Sequence, residues 1–156
     1  FFFKQKTAYE IPKRDWSSDV CSSDLKADTV SIVTRVAEEA KKNQARVDGL
    51  YASMGELVTR ARAAFINQDW VQFGRLMDED QLLLSELGVS SEILDRLIAA
   101  ARGAGALGAK LSGAGVGDCM IALGTPETAQ AITDAITNAG GTVIPARVHA
   151  PAASLS

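Results

Sequence analysis

The stretch that decides the fold is Ala109-Lys110-Leu111-Ser112-Gly113-Ala114-Gly115-Val116-Gly117-Asp118-Cys119-Met120-Ile121-Ala122-Leu123. Two short extended runs, Ala109–Ser112 and Cys119–Leu123, flank a turn rich in glycine. A hairpin turn needs about two to five residues and usually one glycine. Here there are three glycines with a serine and an alanine, more than chain reversal requires. Glycines at alternate positions let the backbone take positive φ and let a ligand approach the main chain without meeting Cβ atoms. Successive N–H groups in such a turn form a concavity suited to phosphate oxygens. Spacing alone leaves a plain hairpin and an anion-binding turn both open. The turn is not a P-loop, because Lys110 precedes the glycines and no Gly-Lys-Ser/Thr closes it. Nor is it a dinucleotide fingerprint: Gly-x-Gly-x-Gly lacks the second spacer, and no ribose-binding acid is suitably placed.

Upstream, from about Val30 to Leu87, the pattern is helical. Val47, Leu50, Met54, Leu57, Val58, Ala61 and Phe65 recur at three- and four-residue steps and predict one buried stripe. Glu38, Lys41, Lys42, Arg60 and Arg62 read as a solvated face. A further helix is expected from about Trp70 to Leu87, with Phe73, Leu76, Met77, Leu83, Leu84 and Leu87 inward and Gly88 ending it. Ser90 or Ser91 caps the next, Glu92 to about Arg102. Downstream, Thr125-Pro126-Glu127 reads as a helix start with Thr125 as N-cap, burying Ala129, Ile132 and Ile136 and stopping at Gly140-Gly141. Thr142 to His149 reads as a last strand, at an edge or a bulge because of Pro145. Helices, strand, glycine loop, strand, helix, strand make an α+β sandwich: most of a split β-α-β unit packed under an antiparallel sheet.

The chain has 156 residues, 47% hydrophobic and 22% charged, with a net charge of -3. That size suits one domain or part of a larger one. No basic excess marks a nucleic-acid binder, no apolar run suits a membrane helix, and two cysteines do not make a disulfide framework. Residues 1–25 differ from the rest: they hold five of the nine aromatics, one of the two cysteines and none of the 13 glycines. FFFKQKTAYEIPKRDWSSDVCSSDL shows no apolar period and no signal-peptide core. It resembles the conceptual translation of a sequencing adapter and is set aside as non-native. The expected division is therefore 1–25 non-native, 26–150 the α+β domain and 151–156 a tail. Native chain is expected to begin near Lys26 with more sequence upstream. Cys119 is then the one native cysteine, which suits a reducing cytoplasm.

Lys110 to Leu123 resembles the third conserved motif of the GHMP kinases, the small-molecule kinases that include galactokinase, homoserine kinase and the mevalonate kinases. Leu76-Met77-Asp78-Glu79-Asp80-Gln81, Leu87-Gly88-Val89-Ser90, Leu94-Asp95-Arg96-Leu97 and Gly105-Ala106-Leu107-Gly108-Ala109-Lys110 look like the carboxy-terminal half of the mevalonate kinase family in order and spacing. The resemblance runs from about Arg35 to His149. Two departures stand out. Many relatives have glycine at the place of Asp118, whereas phosphomevalonate kinases often carry Gly-Asp-Cys, which keeps that family as an alternative. Ala27-Asp28-Thr29 is similar to the Ala-Asp-Thr-Gly that ends the first strand of this domain, but Val30 replaces the glycine.

The resemblance implies a GHMP kinase C-terminal domain: a ferredoxin-like split β-α-β sheet with added helices. Its first strand is expected to be missing, because that place falls on the adapter-like segment. It implies ATP-dependent phosphorylation of the primary hydroxyl of mevalonate with Mg²⁺, in isoprenoid synthesis in the cytoplasm. In the family, ATP, Mg²⁺, the catalytic aspartate and an assisting lysine belong mainly to the amino-terminal half. This chain is therefore expected to carry no catalytic residue and no metal ligand, and to be inactive alone. The carried-over site is Ser112, Gly113, Ala114, Gly115, Val116, Gly117 and Asp118, closing on phosphates and substrate. An acid beside phosphates is unfavourable unless it faces Mg²⁺ or turns away, so Asp118 reads equally as a turn acid. Partners are mevalonate and ATP, with a homodimer left open and neither nucleic acid nor membrane expected. His149 lies outside the matched motif, Cys119 reads as a small buried hydrophobe, and Trp70, Tyr51 and Phe73 fit helix packing. Lys110 reads as a solvated strand-edge lysine. The competing class is a non-enzymatic α+β module for ligand binding or dimerisation.

Overall fold

Five helices and four short strands make up residues 2–5, 29–116 and 119–146, which the computed structural model describes. In chain order they are β1 (Phe2–Gln5), α1 (Thr29–Lys42), α2 (Gln44–Ile66), α3 (Trp70–Glu86), α4 (Glu92–Gly103), β2 (Gly108–Leu111), β3 (Met120–Leu123), α5 (Ala129–Asn138) and β4 (Val143–Ala146). Local chemistry explains the breaks. Asn43 interrupts the long helical stretch and accepts from the Arg46 N–H at 3.3 Å as the N-cap of α2. Asp69 does the same for α3, accepting from the Gln72 N–H at 2.9 Å. Ser91 rather than Ser90 caps α4. Gly88, at φ +81°, lets the chain leave α3 through the left-handed region.

α5 begins at Ala129, later than Thr125-Pro126 suggested. The Thr128 N–H bonds the Thr125 carbonyl at 3.2 Å, so Pro126 stands second in a tight turn. Its fixed φ suits that position as well as a helix start. The long stripe on α2 is also narrower than its spacing implied. Val47, Leu50, Leu57 and Ala64 are buried, while Val58 and Phe65 are exposed. Phe65 instead meets the edge of Trp70, with ring centroids 5.4 Å apart, and Phe73 completes that cluster.

The strands form one antiparallel sheet in the order β2-β3-β1-β4. This is the order of a ferredoxin-like split β-α-β sheet, with α1–α4 lying between β1 and β2 in sequence. One expectation is corrected. The place of the first strand is filled, by Phe2–Gln5, which pairs with β3 through Phe3↔Ala122 and with β4 through Phe3↔Pro145. Two facing strand edges offer rows of N–H and C=O groups, and pairing there is a backbone property. An aromatic-rich segment without glycine or proline meets it.

α4 and α5 lie on one face of the sheet. Leu94, Leu97, Ala101, Ile132 and Ile136 pack there against Ala109, Leu111, Met120 and Ala122. A second cluster joins Leu57 and Ala64 of α2 to Leu76 of α3. α3 also lies along the outer edge of β2, at very close range. A Cβ built on Gly74 would stand 2.3 Å from the Leu107 carbonyl oxygen, and one on Gly108 would stand 2.0 Å from that of Gly74. The outward N–H groups of β2 go to α3: Ala109 donates to Asp78 Oδ1 at 2.9 Å and Leu111 to Gln81 Oε1 at 2.8 Å. Two side chains one helical turn apart thus take the place of a neighbouring strand.

Candidate functional site

β2 and β3 present the glycine loop. The Ser112 N–H bonds the Cys119 carbonyl at 2.9 Å and closes the hairpin beneath it. Above that bond Gly113 and Gly115 have φ of +96° and +84°, and Val116 a φ of +46°. Three left-handed residues in four turn the loop back sharply, and the glycines adopt such angles without the Cβ penalty. Gly115 is where the loop is seated: its hypothetical Cβ would lie 2.3 Å from the Val89 carbonyl oxygen, which also accepts the Val116 N–H at 2.6 Å. Gly113 differs. It has no heavy atom within 4 Å of a built Cβ, and both it and Ala114 are exposed. The N–H groups of Gly113, Ala114 and Gly115 donate to no described residue. Gly113 and Ala114 thus carry their N–H groups at the exposed tip, whereas Gly115 is buried at the seat of the loop. Gly117 and Asp118, the last two residues of the expected site, lie outside the described residues.

Beside Gly113 and Ala114 opens an apolar groove of about 330 Å³, lined further by Ile32, Val36, Tyr51 and Leu87. It brings α1, α2 and the end of α3 to the loop, an association the sequence reading missed. Tyr51, read as helix packing, is half exposed on this groove. Arg35 and Arg46 reach from α1 and α2 to the carbonyls of Gly88 and Glu86, satisfying the last turn of α3 where it leads into Val89.

Lys110 is not solvated freely. Its Nζ lies 2.6 Å from Asp80 Oδ2, with both side chains three-quarters buried. Asp78 pairs with Arg102 at 3.0 Å. Burial pushes the Asp78 carboxyl above its ordinary value, opposed by the Ala109 N–H bond and the Arg102 charge. Arg60, a member of the expected solvated face, is half exposed and pairs with Glu79 at 2.9 Å. Asp78, Asp80 and Gln81 of the Leu76–Gln81 phrase thus brace β2. Cys119, expected to be a buried hydrophobe on a strand, instead stands just before β3 and is only half-buried. His149 and the 151–156 tail fall outside the described residues.

Among the described residues no group of three or more His, Cys, Asp or Glu side chains could hold a metal ion. Asp78, Glu79 and Asp80 of α3 are committed to Ala109, Arg102, Arg60 and Lys110, so they do not fit Mg²⁺. No described helix is long and apolar enough to cross a membrane.

The family model "GHMP kinases C terminal" matches residues 61–142, which include α3, the glycine loop and the β2–β3 hairpin. The chain belongs to the GHMP kinases. The mevalonate kinase of Thermococcus onnurineus is 42% identical over 126 residues, covering 78% of the chain and 36% of the relative. That of Thermococcus sibiricus is 34% identical over 154 residues, covering 95% of the chain and 46% of the relative. The chain thus spans less than half the length of the curated relatives it matches. Among solved structures, L. major mevalonate kinase in complex with R-mevalonate superposes with a TM-score of 0.74 at 25% identity, over 88% of the chain and 37% of that protein. The Lin0012 protein of Listeria innocua superposes with a TM-score of 0.76 at 20% identity, over 93% of the chain and 38% of that protein. The expected GHMP kinase C-terminal fold is therefore what the chain adopts.

Proposed function

We propose that residues 26–150 are the C-terminal domain of a mevalonate kinase. The complete enzyme would transfer the γ-phosphoryl group of ATP to the primary hydroxyl of mevalonate. In this reading Ser112 to Asp118 close on the phosphates and substrate from the C-terminal side. The N–H groups at Gly113–Gly115 stabilise anionic oxygens, and the apolar groove beside them shapes the pocket and excludes water. Such transfer rests on positioning and charge stabilisation, and the loop supplies both without a reacting side chain. ATP and Mg²⁺ would be held mainly by an amino-terminal half, together with the catalytic acid and lysine. Residues 1–25 are read as non-native, the chain alone as inactive, and the whole enzyme as cytoplasmic. The observation that carries the reading is the seated glycine loop, whose tip N–H groups meet no described residue, in a chain 42% identical to a mevalonate kinase.

Phosphomevalonate is the second substrate to weigh, because Gly117-Asp118-Cys119 resembles the phosphomevalonate kinase form of the motif. The Streptococcus pneumoniae phosphomevalonate kinase bound to phosphomevalonate and AMPPNP superposes with a TM-score of 0.68 at 20% identity. One experiment separates the readings. The purified chain is assayed with ATP, Mg²⁺ and either acceptor beside a chimera in which the amino-terminal part of the Thermococcus onnurineus enzyme, carried through a strand at the place of β1 so that the sheet is complete, precedes residues 26–156. The expected result is turnover of mevalonate by the chimera alone. Preference for phosphomevalonate would favour the second reading, and a folded chimera without turnover of either would refute both.

A further inference from the structure

Among the described residues Gln81 is the one buried polar side chain, 7% exposed. Its Oε1 accepts the Leu111 N–H at 2.8 Å, at the last residue of β2 before the glycine loop. Its Nε2 donates to Ser90 Oγ at 3.0 Å and to Ser85 Oγ at 3.2 Å on its own helix. Ser90 in turn donates to Asp95 Oδ1 at 2.6 Å, and Gln81 Nε2 stands 3.5 Å from the same oxygen. The residue before Ser90 is Val89, whose carbonyl holds Val116 and against which Gly115 is seated.

We infer that Gln81 is a positioning residue for the glycine loop: one carboxamide fixes the strand from which the loop departs relative to the shelf on which it rests. The loop has two supports, Leu111 at its root and Val89-Ser90 under Gly115, and Gln81 is bonded to both. An amide carries an acceptor and a donor in one rigid plane, whereas a glutamate is acceptor-only when ionised and a leucine offers neither. Burial raises the stakes, because a lost partner would leave a polar group unsatisfied away from water. The consequence for ligands rests on the anion-facing reading of the loop; the positioning itself does not.

The test uses the full chain. Amide hydrogen exchange is followed residue by residue in Gln81→Leu, Gln81→Glu and Ser90→Ala, with Leu97 and Ile132 reporting global stability. Gln81→Leu is expected to speed exchange at both Leu111 and Val116 by about tenfold or more. Gln81→Glu and Ser90→Ala should leave Leu111 slow and speed Val116 alone, which loss of packing would not do. Equal acceleration at Leu97 and Ile132, or an unchanged Val116 in both of these variants, would overturn the inference. Should Gln81→Leu fail to fold, Ser90→Ala still decides it, since Ser90 is only half-buried. Pyrophosphate titration is read alongside. Weaker binding in Ser90→Ala, by about threefold or more, supports the inference. Wild-type loop amides that do not respond at all would refute the anion-facing reading and leave the positioning role to the exchange result.

Discussion

Gly113 and Gly115 share a left-handed backbone and differ in everything around it. Alanine at Gly113 meets open space and pays only the conformational penalty, about 1 kcal/mol. At Gly115 the same methyl would also overlap a backbone carbonyl that cannot yield, so a loss of about 3 kcal/mol is expected. Urea unfolding of the two variants checks this, and equal losses would show that Val89 does not seat the loop. Both glycines were legible in the sequence as members of a loop too rich in glycine for a hairpin. Their different jobs were not, because Val89 lies more than twenty residues upstream and only folding brings it to Gly115. Gln81 was legible only inside a family phrase. No local pattern marks a helical glutamine as the partner of a strand N–H thirty residues away.

At the scale of elements, α3 is a lid on a sheet edge as well as a core helix. Its apolar positions were readable from their period, but the polar ones were not. Asp78, Asp80 and Gln81 look like any solvated face until β2 is laid beside them. Asp78 makes this measurable. Its carboxyl is raised above 3.8, chiefly by burial, so the folded chain holds the proton more tightly than the unfolded one. Across that window the folded state binds more protons, and this group's contribution to stability falls as pH rises. Asp78→Asn keeps an acceptor for the Ala109 N–H and removes the titration. The difference in unfolding free energy between wild type and Asp78→Asn, followed from about pH 3.5 to 6, is expected to move against the wild type as pH rises. A flat difference curve would count against a raised Asp78.

For the whole molecule, the order of helices, strands and glycine loop follows from periodicity and punctuation, and the split β-α-β arrangement was legible from it. The strand between β3 and β4 was not, since pairing there depends on main-chain geometry and Phe2–Gln5 carries no family pattern. Removing residues 1–25 would leave two facing rows of unpaired backbone groups inside the sheet. The shortened chain is expected to bind a hydrophobic dye and show poorly dispersed amide signals, and sharp cooperative unfolding would contradict that. The opposite edge invites a different thought. Asp78 and Gln81 occupy the outward N–H groups of β2, so among the described residues the four-stranded sheet is blocked on that side. A further copy adding a strand at β2 would first have to displace Asp78 and Gln81, so growth of the sheet is closed on that side.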